Sequence, residues 1–329
     1  MKKIGIIGAG AWGSALAIAV AQARHEVLLR AHESDVVDFI NTNHVNPEYL
    51  PGVTFPDSVR STSSLSETVN RDIVLLVTPA QYVREIIMAT KSQFGRKTEL
   101  IICSKGIEQK SGQLLSEIIE DIIPEIPLAI LSGPTFAHEV AKGLPAAVTI
   151  ASKNLNSAKK LVNEFGTPTF RPYASNDIIG AQIGGAVKNV IAIACGIVNG
   201  KNFGENARAA IISRGLSEMV RFGIALKADP STLMGLSGLG DLTLTCTSES
   251  SRNYSVGLRL GSGTTVSEIL ANRKSVAEGI YTAKAICIRG KELGVELPIC
   301  SGVNEILHNN ANIDKTVSQI LSRPLRSEI

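Results

Sequence analysis

Short runs rich in Ile, Val and Leu recur through the first half of the chain, separated by stretches whose apolar residues fall at helical spacing. Brief apolar runs bounded by turn residues fit strands buried on both faces, as in a parallel sheet covered by helices. The pattern predicts strands at 3–7, 27–30, 73–77, 100–103, 128–131 and 147–151, with a weaker one near 169–173. It predicts helices at 14–23, 81–93, 112–122 and 156–165, and Thr78-Pro79 and Ser132-Gly133-Pro134 supply turns. After Asp177 the texture changes to longer helical patterns at 178–198, 207–228, 282–293 and 302–307, with another helix starting in 264–270. The expected fold is therefore α/β at the N-terminus followed by an all-α domain, with a boundary near 175–182.

Composition narrows the function classes. A chain of 329 residues exceeds what one hydrophobic core usually serves, and 44% hydrophobic against 19% charged residues is a compact globular profile. The net charge of +3 is small and evenly spread, so neither nucleic acid nor a membrane surface is expected as a partner. Acidic small molecules remain open as substrates. Cys103, Cys195, Cys246, Cys287 and Cys300 form no C-x-x-C pair and no His/Cys cluster, which predicts a reduced, cytoplasmic protein without a metal site.

Two stretches imitate membrane signals. The basic start and the apolar run to Ala21 look like a signal peptide, but Gly5, Gly8, Gly10 and Gly13 interrupt the run and a strand-like segment follows directly. The stretch 178–198 is long enough to span a bilayer, yet Gln182, Lys188 and Asn189 at its middle are costly in lipid. A buried helix carrying a functional lysine is expected, with no stable membrane insertion.

Gly8-Ala9-Gly10-Ala11-Trp12-Gly13 follows the first strand and opens the first helix, the context that a dinucleotide-binding Rossmann turn requires. Gly8 would allow the tight turn, Gly10 the approach of the diphosphate and Gly13 the helix-to-strand packing. The expected architecture is thus a Rossmann-type, mostly parallel sheet over residues 1–180 and a helical substrate domain over 181–329. At the end of the second strand, Arg30 and His32 precede the first carboxylate, Glu33, which leans toward NADPH while leaving NADH open.

Lys188 stands in a helical stripe of small residues, Ala181, Gly184, Gly185, Ala192 and Cys195, so something large must approach that face. A lysine in so dry a setting has its pKa lowered by desolvation, which suits proton exchange near neutral pH. Ser237-Gly238-Leu239-Gly240-Asp241 reads as a constrained loop presenting a carboxylate, and Ser250-Ser251-Arg252-Asn253 carries the donors a phosphate wants. Each is weak alone, since Asp also caps helices and Arg also decorates solvated faces.

Taken together these motifs resemble the soluble bacterial NAD(P)-dependent glycerol-3-phosphate dehydrogenases. The resemblance spans nearly the whole chain, through 8–13, 104–108, 131–137, 184–192, 206–210, 238–242, 251–253 and Glu278-Gly279. It implies reversible reduction of dihydroxyacetone phosphate to sn-glycerol 3-phosphate with NADPH or NADH, supplying phospholipid synthesis. It implies Lys188 as the catalytic proton donor and acceptor, and Lys105, Gly133, Thr135, Asp241, Ser251, Arg252 and Asn253 as substrate contacts. It implies cofactor contacts at Ala11, Trp12, His32, Lys105, Ala137, Arg252, Val276 and Glu278, to which the motif reading above adds Gly8, Gly10, Gly13 and Arg30. Asn189 and Thr245 are implied to stand behind them, and a homodimer is the expected assembly.

Two departures from the family pattern stand out: Arg30 replaces an aromatic residue, and Tyr254-Ser255 replaces a pair of arginines. Two rival readings fit the motifs: a dehydrogenase of the 3-hydroxyacid or 6-phosphogluconate type, and a redox-sensing module that binds NAD(H) to regulate a partner.

Overall fold

The computed structural model describes residues 1–271 and 277–324. Its strands are β1 (Lys3–Ile7), β2 (Glu26–Arg30), β3 (Val45–Asn46), β4 (Leu50–Thr54), β5 (Val59–Thr62), β6 (Ile73–Leu76), β7 (Glu99–Ile102), β8 (Leu128–Ser132), β9 (Ala146–Ala151) and β10 (Phe170–Ser175). The helices among them are α1 (Ala11–Gln22), α2 (Ser34–Asn43), α3 (Leu65–Val69), α4 (Val83–Thr90), α5 (Leu115–Ile122), α6 (Ala137–Ala141) and α7 (Leu155–Phe165). Eight strands form one sheet in the order β10-β9-β8-β7-β6-β1-β2-β5, and β3 pairs with β4 as a separate hairpin.

Side chains alternate between the faces of a strand, so one strand feeds two cores. Ile6, Leu75 and Ile101 join Leu16, Val20 and Leu29 on one side, while Ile7, Leu76 and Ile102 join Val83, Ile87 and Ile118 on the other. That double burial is why the central strands read as unbroken apolar runs.

The predicted strands all form, with ends shifted by a residue or so, and two features depart from expectation. β8 and β9 pair antiparallel, Leu131 opposite Ile150, within an otherwise parallel sheet. Their connection carries only the five-residue α6, too little helix for a crossover, so the chain doubles back. The span between Arg30 and Ile73, where the periodicity predicts no element, holds α2, the hairpin, β5 and α3. β5 has a single buried aliphatic, Val59, and exists through its pairing with β2.

The rest of the described chain is helical: α8 (Ile178–Gly200), α9 (Glu205–Ala225), α10 (Pro230–Leu233), α11 (Asp241–Cys246), α12 (Arg252–Gly261), α13 (Val266–Ala271), α14 (Glu278–Glu292), α15 (Pro298–His308) and α16 (Ile313–Leu321). Asp177 starts α8 by accepting a hydrogen bond from the Gly180 N–H at 2.8 Å. By length and composition α8 could cross a membrane, but 94% of its most apolar stretch is buried inside the protein. Its hydrophobicity is consumed by packing: Ile183, Val187, Val190 and Ile191 share a core with Met219, Phe222, Leu242, Tyr254 and Ile286.

Glycines in a helix interior cost up to ~1 kcal/mol each, and here close packing offsets that cost. A Cβ on Gly196 would lie 2.1 Å from the Tyr254 carbonyl oxygen, and one on Gly257 2.0 Å from that of Ile193. α8 and α12 therefore touch backbone to backbone.

β1 lies between β2 and β6, with β5 beyond the former and β7 and β8 beyond the latter, so the winding reverses at β1 and β6. Ligands of such sheets bind outside the carboxyl ends of the strands at this reversal. Gly8, Arg30, Lys105 and Gly133 all follow or end strands there.

Candidate active site

Gly8 turns the chain out of β1 with φ +116°, and its N–H donates to the Arg30 carbonyl at 3.1 Å. A Cβ on Gly13 would fall 1.8 Å from the Gly8 oxygen, so only glycine lets α1 start this close to the strand. Around Gly10, by contrast, a Cβ would meet nothing within 4 Å, and no side chain caps α1 there. The helix thus offers its first N–H groups to an open cradle, a fitting seat for a diphosphate. The Trp12 indole N–H, buried without a hydrogen-bond partner among the described residues, is a further donor in the first turn. The guanidinium of Arg30 stands 3.3 Å from the His32 ring, beside this turn. Burial lowers the pKa of Arg30, with Glu33 opposing, and the Glu33 carboxylate accepts from the Tyr49 hydroxyl at 3.0 Å. The residues predicted for the diphosphate and the adenosine ribose are therefore neighbours.

The chemical centre forms where α8 meets the sheet. Lys188, only 6% exposed, does not snorkel to solvent. Its ammonium donates to Asp241 Oδ1 at 2.6 Å and to Thr245 Oγ1 at 2.9 Å. The other carboxylate oxygen of Asp241 accepts from Lys105 Nζ at 2.7 Å, and Lys105 also donates to the Gly133 carbonyl at 2.9 Å. Asp241 is wholly buried in the first turn of α11 and does not cap it, since Gly240 holds that position.

One carboxylate between two ammonium groups leaves a net positive charge in a dry pocket, which calls for an anion or a developing negative charge. Burial pushes Lys188 down to about 8, with Lys105 adding to the fall and Asp241 opposing it.

The small-residue stripe beside Lys188 has a packing explanation. A Cβ on Gly184 would strike the Ser237 carbonyl oxygen at 2.1 Å, and one on Gly185 would lie 2.9 Å from Ser132 Oγ and 3.3 Å from Lys105 Cγ. What approaches that face is the protein itself, the 236–240 turn and Lys105, which brings Asp241 and Lys105 within reach of Lys188.

Ser251 caps α12 by accepting from the Tyr254 N–H at 3.2 Å, and Arg252 and Asn253 form the first turn. Asn253 donates to Asn189 Oδ1 at 2.8 Å and accepts from the Gly279 N–H at 3.0 Å, tying α8, α12 and α14 together. Arg252 is exposed, although surrounding protein lowers its pKa and Glu278 opposes that. Glu278 reaches across to the Rossmann half, where Oε1 accepts from the Ala80 N–H at 3.0 Å. Its carboxyl is pushed up to about 7 by burial, against the pull of Ala80 and Arg252. Thr135 donates back to the Gly133 carbonyl at 3.3 Å, and Ala137 opens α6, which packs on α1. Val276 lies outside the described residues. Tyr254, where the family pattern has arginine, is buried, its carbonyl packs against Gly196 of α8, and its hydroxyl accepts from Arg208 at 3.4 Å.

Sequence reasoning used Ser132 only as part of a turn. Its buried hydroxyl has no hydrogen-bond partner among the described residues and stands beside Lys105 and Gly185. The signal was its place directly before Gly133.

Residues 3–158 match the N-terminal part of the NAD-dependent glycerol-3-phosphate dehydrogenase family, and residues 177–318 match its C-terminal part. The chain belongs to this family. It is 47% identical over 327 residues to glycerol-3-phosphate dehydrogenase [NAD(P)+] of Parvibaculum lavamentivorans, covering 99% of this chain and 98% of that protein. With the enzyme of that name from Rhodospirillum rubrum it shares 48% over 329 residues, covering 100% and 94%. Among solved structures, glycerol-3-phosphate dehydrogenase of Coxiella burnetii superimposes with a TM-score of 0.93 at 37% identity, covering 98% of this chain and 99% of that one. The family places the chain with NAD(P)-dependent oxidoreductases of glycerol 3-phosphate rather than with the 3-hydroxyacid or 6-phosphogluconate types.

Proposed function

We propose that this protein interconverts dihydroxyacetone phosphate and sn-glycerol 3-phosphate with NADPH or NADH, Lys188 serving as acid and base. The observation that carries this reading is the Lys188–Asp241–Lys105 cluster at the carboxyl ends of the strands, with Lys188 and Asp241 buried and Lys105 half-buried. A dinucleotide seated by its diphosphate at the glycine turn would supply or accept hydride through its nicotinamide. Lys188 gives a proton to the oxygen that becomes the C2 hydroxyl, and its lowered pKa lets it reload near neutral pH. Asp241 aims both lysines with one oxygen each, and Thr245 fixes Lys188 from a third direction. Lys105 keeps a positive charge beside the reacting oxygen. Arg252 and Asn253, with Ser251, hold the substrate phosphate, so binding energy far from C2 orients the carbonyl. Gly133 and Thr135 complete the substrate wall; Ala11, Trp12, His32, Arg30, Ala137 and Glu278 line the cofactor side.

Residues 1–180 then form the cofactor domain and 181–329 the substrate domain, in a cytoplasmic homodimer feeding phospholipid synthesis. The decisive test follows NADPH and NADH oxidation by absorbance with dihydroxyacetone phosphate as the only substrate. Tight cofactor binding without turnover would favour a redox-sensing module instead.

A further inference from the structure

Asn46, at the end of β3, is fully buried. Its Nδ2 donates to the Ala9 carbonyl at 2.8 Å and to Ser14 Oγ at 2.9 Å, and its Oδ1 accepts from the Tyr49 N–H at 3.2 Å. Ser14 Oγ also donates to the Ala9 carbonyl, at 3.1 Å. A residue distant in the chain thus commits its buried carboxamide to the middle of the glycine turn.

The consequence lies in the Ala9–Gly10 peptide. A trans, planar peptide points its C=O and the following N–H in opposite directions, and the described chain has no cis bond. Two buried donors hold the Ala9 oxygen inward, so the Gly10 N–H faces the other way, and a Cβ on Gly10 would meet nothing within 4 Å. Turned over, the same peptide would aim the negative end of its dipole at a diphosphate. Glycine at position 10 offers little resistance to such a rotation.

We propose that Asn46 is a positioning residue for the dinucleotide, fixing the Ala9–Gly10 peptide with its N–H toward the diphosphate. This rests on the seating of the cofactor at the glycine turn described above. Because the diphosphate is common to both cofactors, the effect is the same for NADPH and NADH.

Calorimetric titration of wild type, Asn46→Ala and Asn46→Asp with NADPH, NADH and ADP-ribose tests it. ADP-ribose keeps the diphosphate and lacks the nicotinamide. Asn46→Asp keeps the shape and the acceptor for Tyr49 but sets an acceptor against the Ala9 oxygen. Both variants should raise all three Kd values by a common factor of about ten or more, while kcat at saturating cofactor falls less than threefold. Kd values within twofold of wild type, a loss confined to one nucleotide, or a fall in kcat larger than the rise in Kd would each overturn the proposal. Should neither variant fold, Ser14→Ala removes the second donor and should weaken all three ligands by roughly threefold; unchanged binding there overturns it equally. Failure of the wild type to bind any of the three would sink the cofactor placement itself, and this proposal with it.

Discussion

The ammonium of Lys188 and the carboxylate of Asp241 stand 2.6 Å apart, both buried. A buried pair gains less than its distance suggests, because both charges lose water. Its value here is chemical: it keeps a lysine protonated close to its tipping point.

The pH dependence follows from that balance. Lys188 is held at about 8, so dihydroxyacetone phosphate reduction, which needs the ammonium, should lose kcat/KM as pH rises through about 8. Oxidation of glycerol 3-phosphate needs the neutral amine and should gain kcat/KM over the same range. Rate profiles from acid to alkaline pH in both directions check this, and flat profiles through 8 would remove Lys188 from proton transfer.

Lys188→Met should cut turnover by roughly a hundredfold to ten-thousandfold and leave NAD(P)H affinity nearly intact. Steady-state assay with parallel cofactor titration reads both quantities. Turnover near that of wild type would assign Lys188 to packing.

Asp241→Asn removes the one anion between two lysines. Asp241 raises the pKa of Lys188, so the alkaline limb of reduction should move to lower pH in this variant. Stability should fall by about 3–5 kcal/mol where both lysines are charged, and adding Lys188→Met should recover part of it. Denaturant melts of the single and double variants decide whether the loss comes from the stranded charges.

Arg252→Ala should lower kcat/KM steeply for dihydroxyacetone phosphate at saturating cofactor. Dihydroxyacetone lacks the phosphate, so wild type and variant should use it equally poorly. Equal fractional loss for both substrates would show that Arg252 does not anchor the phosphate. The same logic applies to the cofactor: neutral residues in place of Arg30 and His32 should weaken NADPH and spare NADH.

Glu278 gives a stability prediction with a defined sign. Its carboxyl rises from an ordinary 4.5 to about 7 in the folded protein, so the fold prefers the protonated form. The cost of ionising it is absent below about 4.5, grows between there and 7, and is complete above 7. Glu278→Gln keeps an acceptor for the Ala80 N–H and cannot ionise. Its melting temperature should exceed wild type by a few degrees at pH 8, without cofactor, and match it near pH 4.5; the opposite order would place Glu278 in a stabilising ion pair.

By itself the sequence determined the two-part architecture, because the residues responsible act locally. Doubly buried strands such as β6 must be apolar throughout, and Gly8 to Gly13 must be small where a helix leaves a strand. Lys188 was legible as an anomaly, one charge in a stripe of small residues. Tertiary structure alone decided what that anomaly meant. Asp241 and Lys105 lie far from Lys188 in the chain, and neither spacing nor composition could show one carboxylate shared between two ammonium groups. The stripe itself, which called for something large to approach, proved to admit the Ser237 backbone and Lys105. Likewise β5 and the hairpin bearing Asn46 carry too few apolar residues to announce themselves. Local patterns record which face of an element is dry, whereas pairing across the chain depends on which dry faces meet, and only the folded molecule settles that.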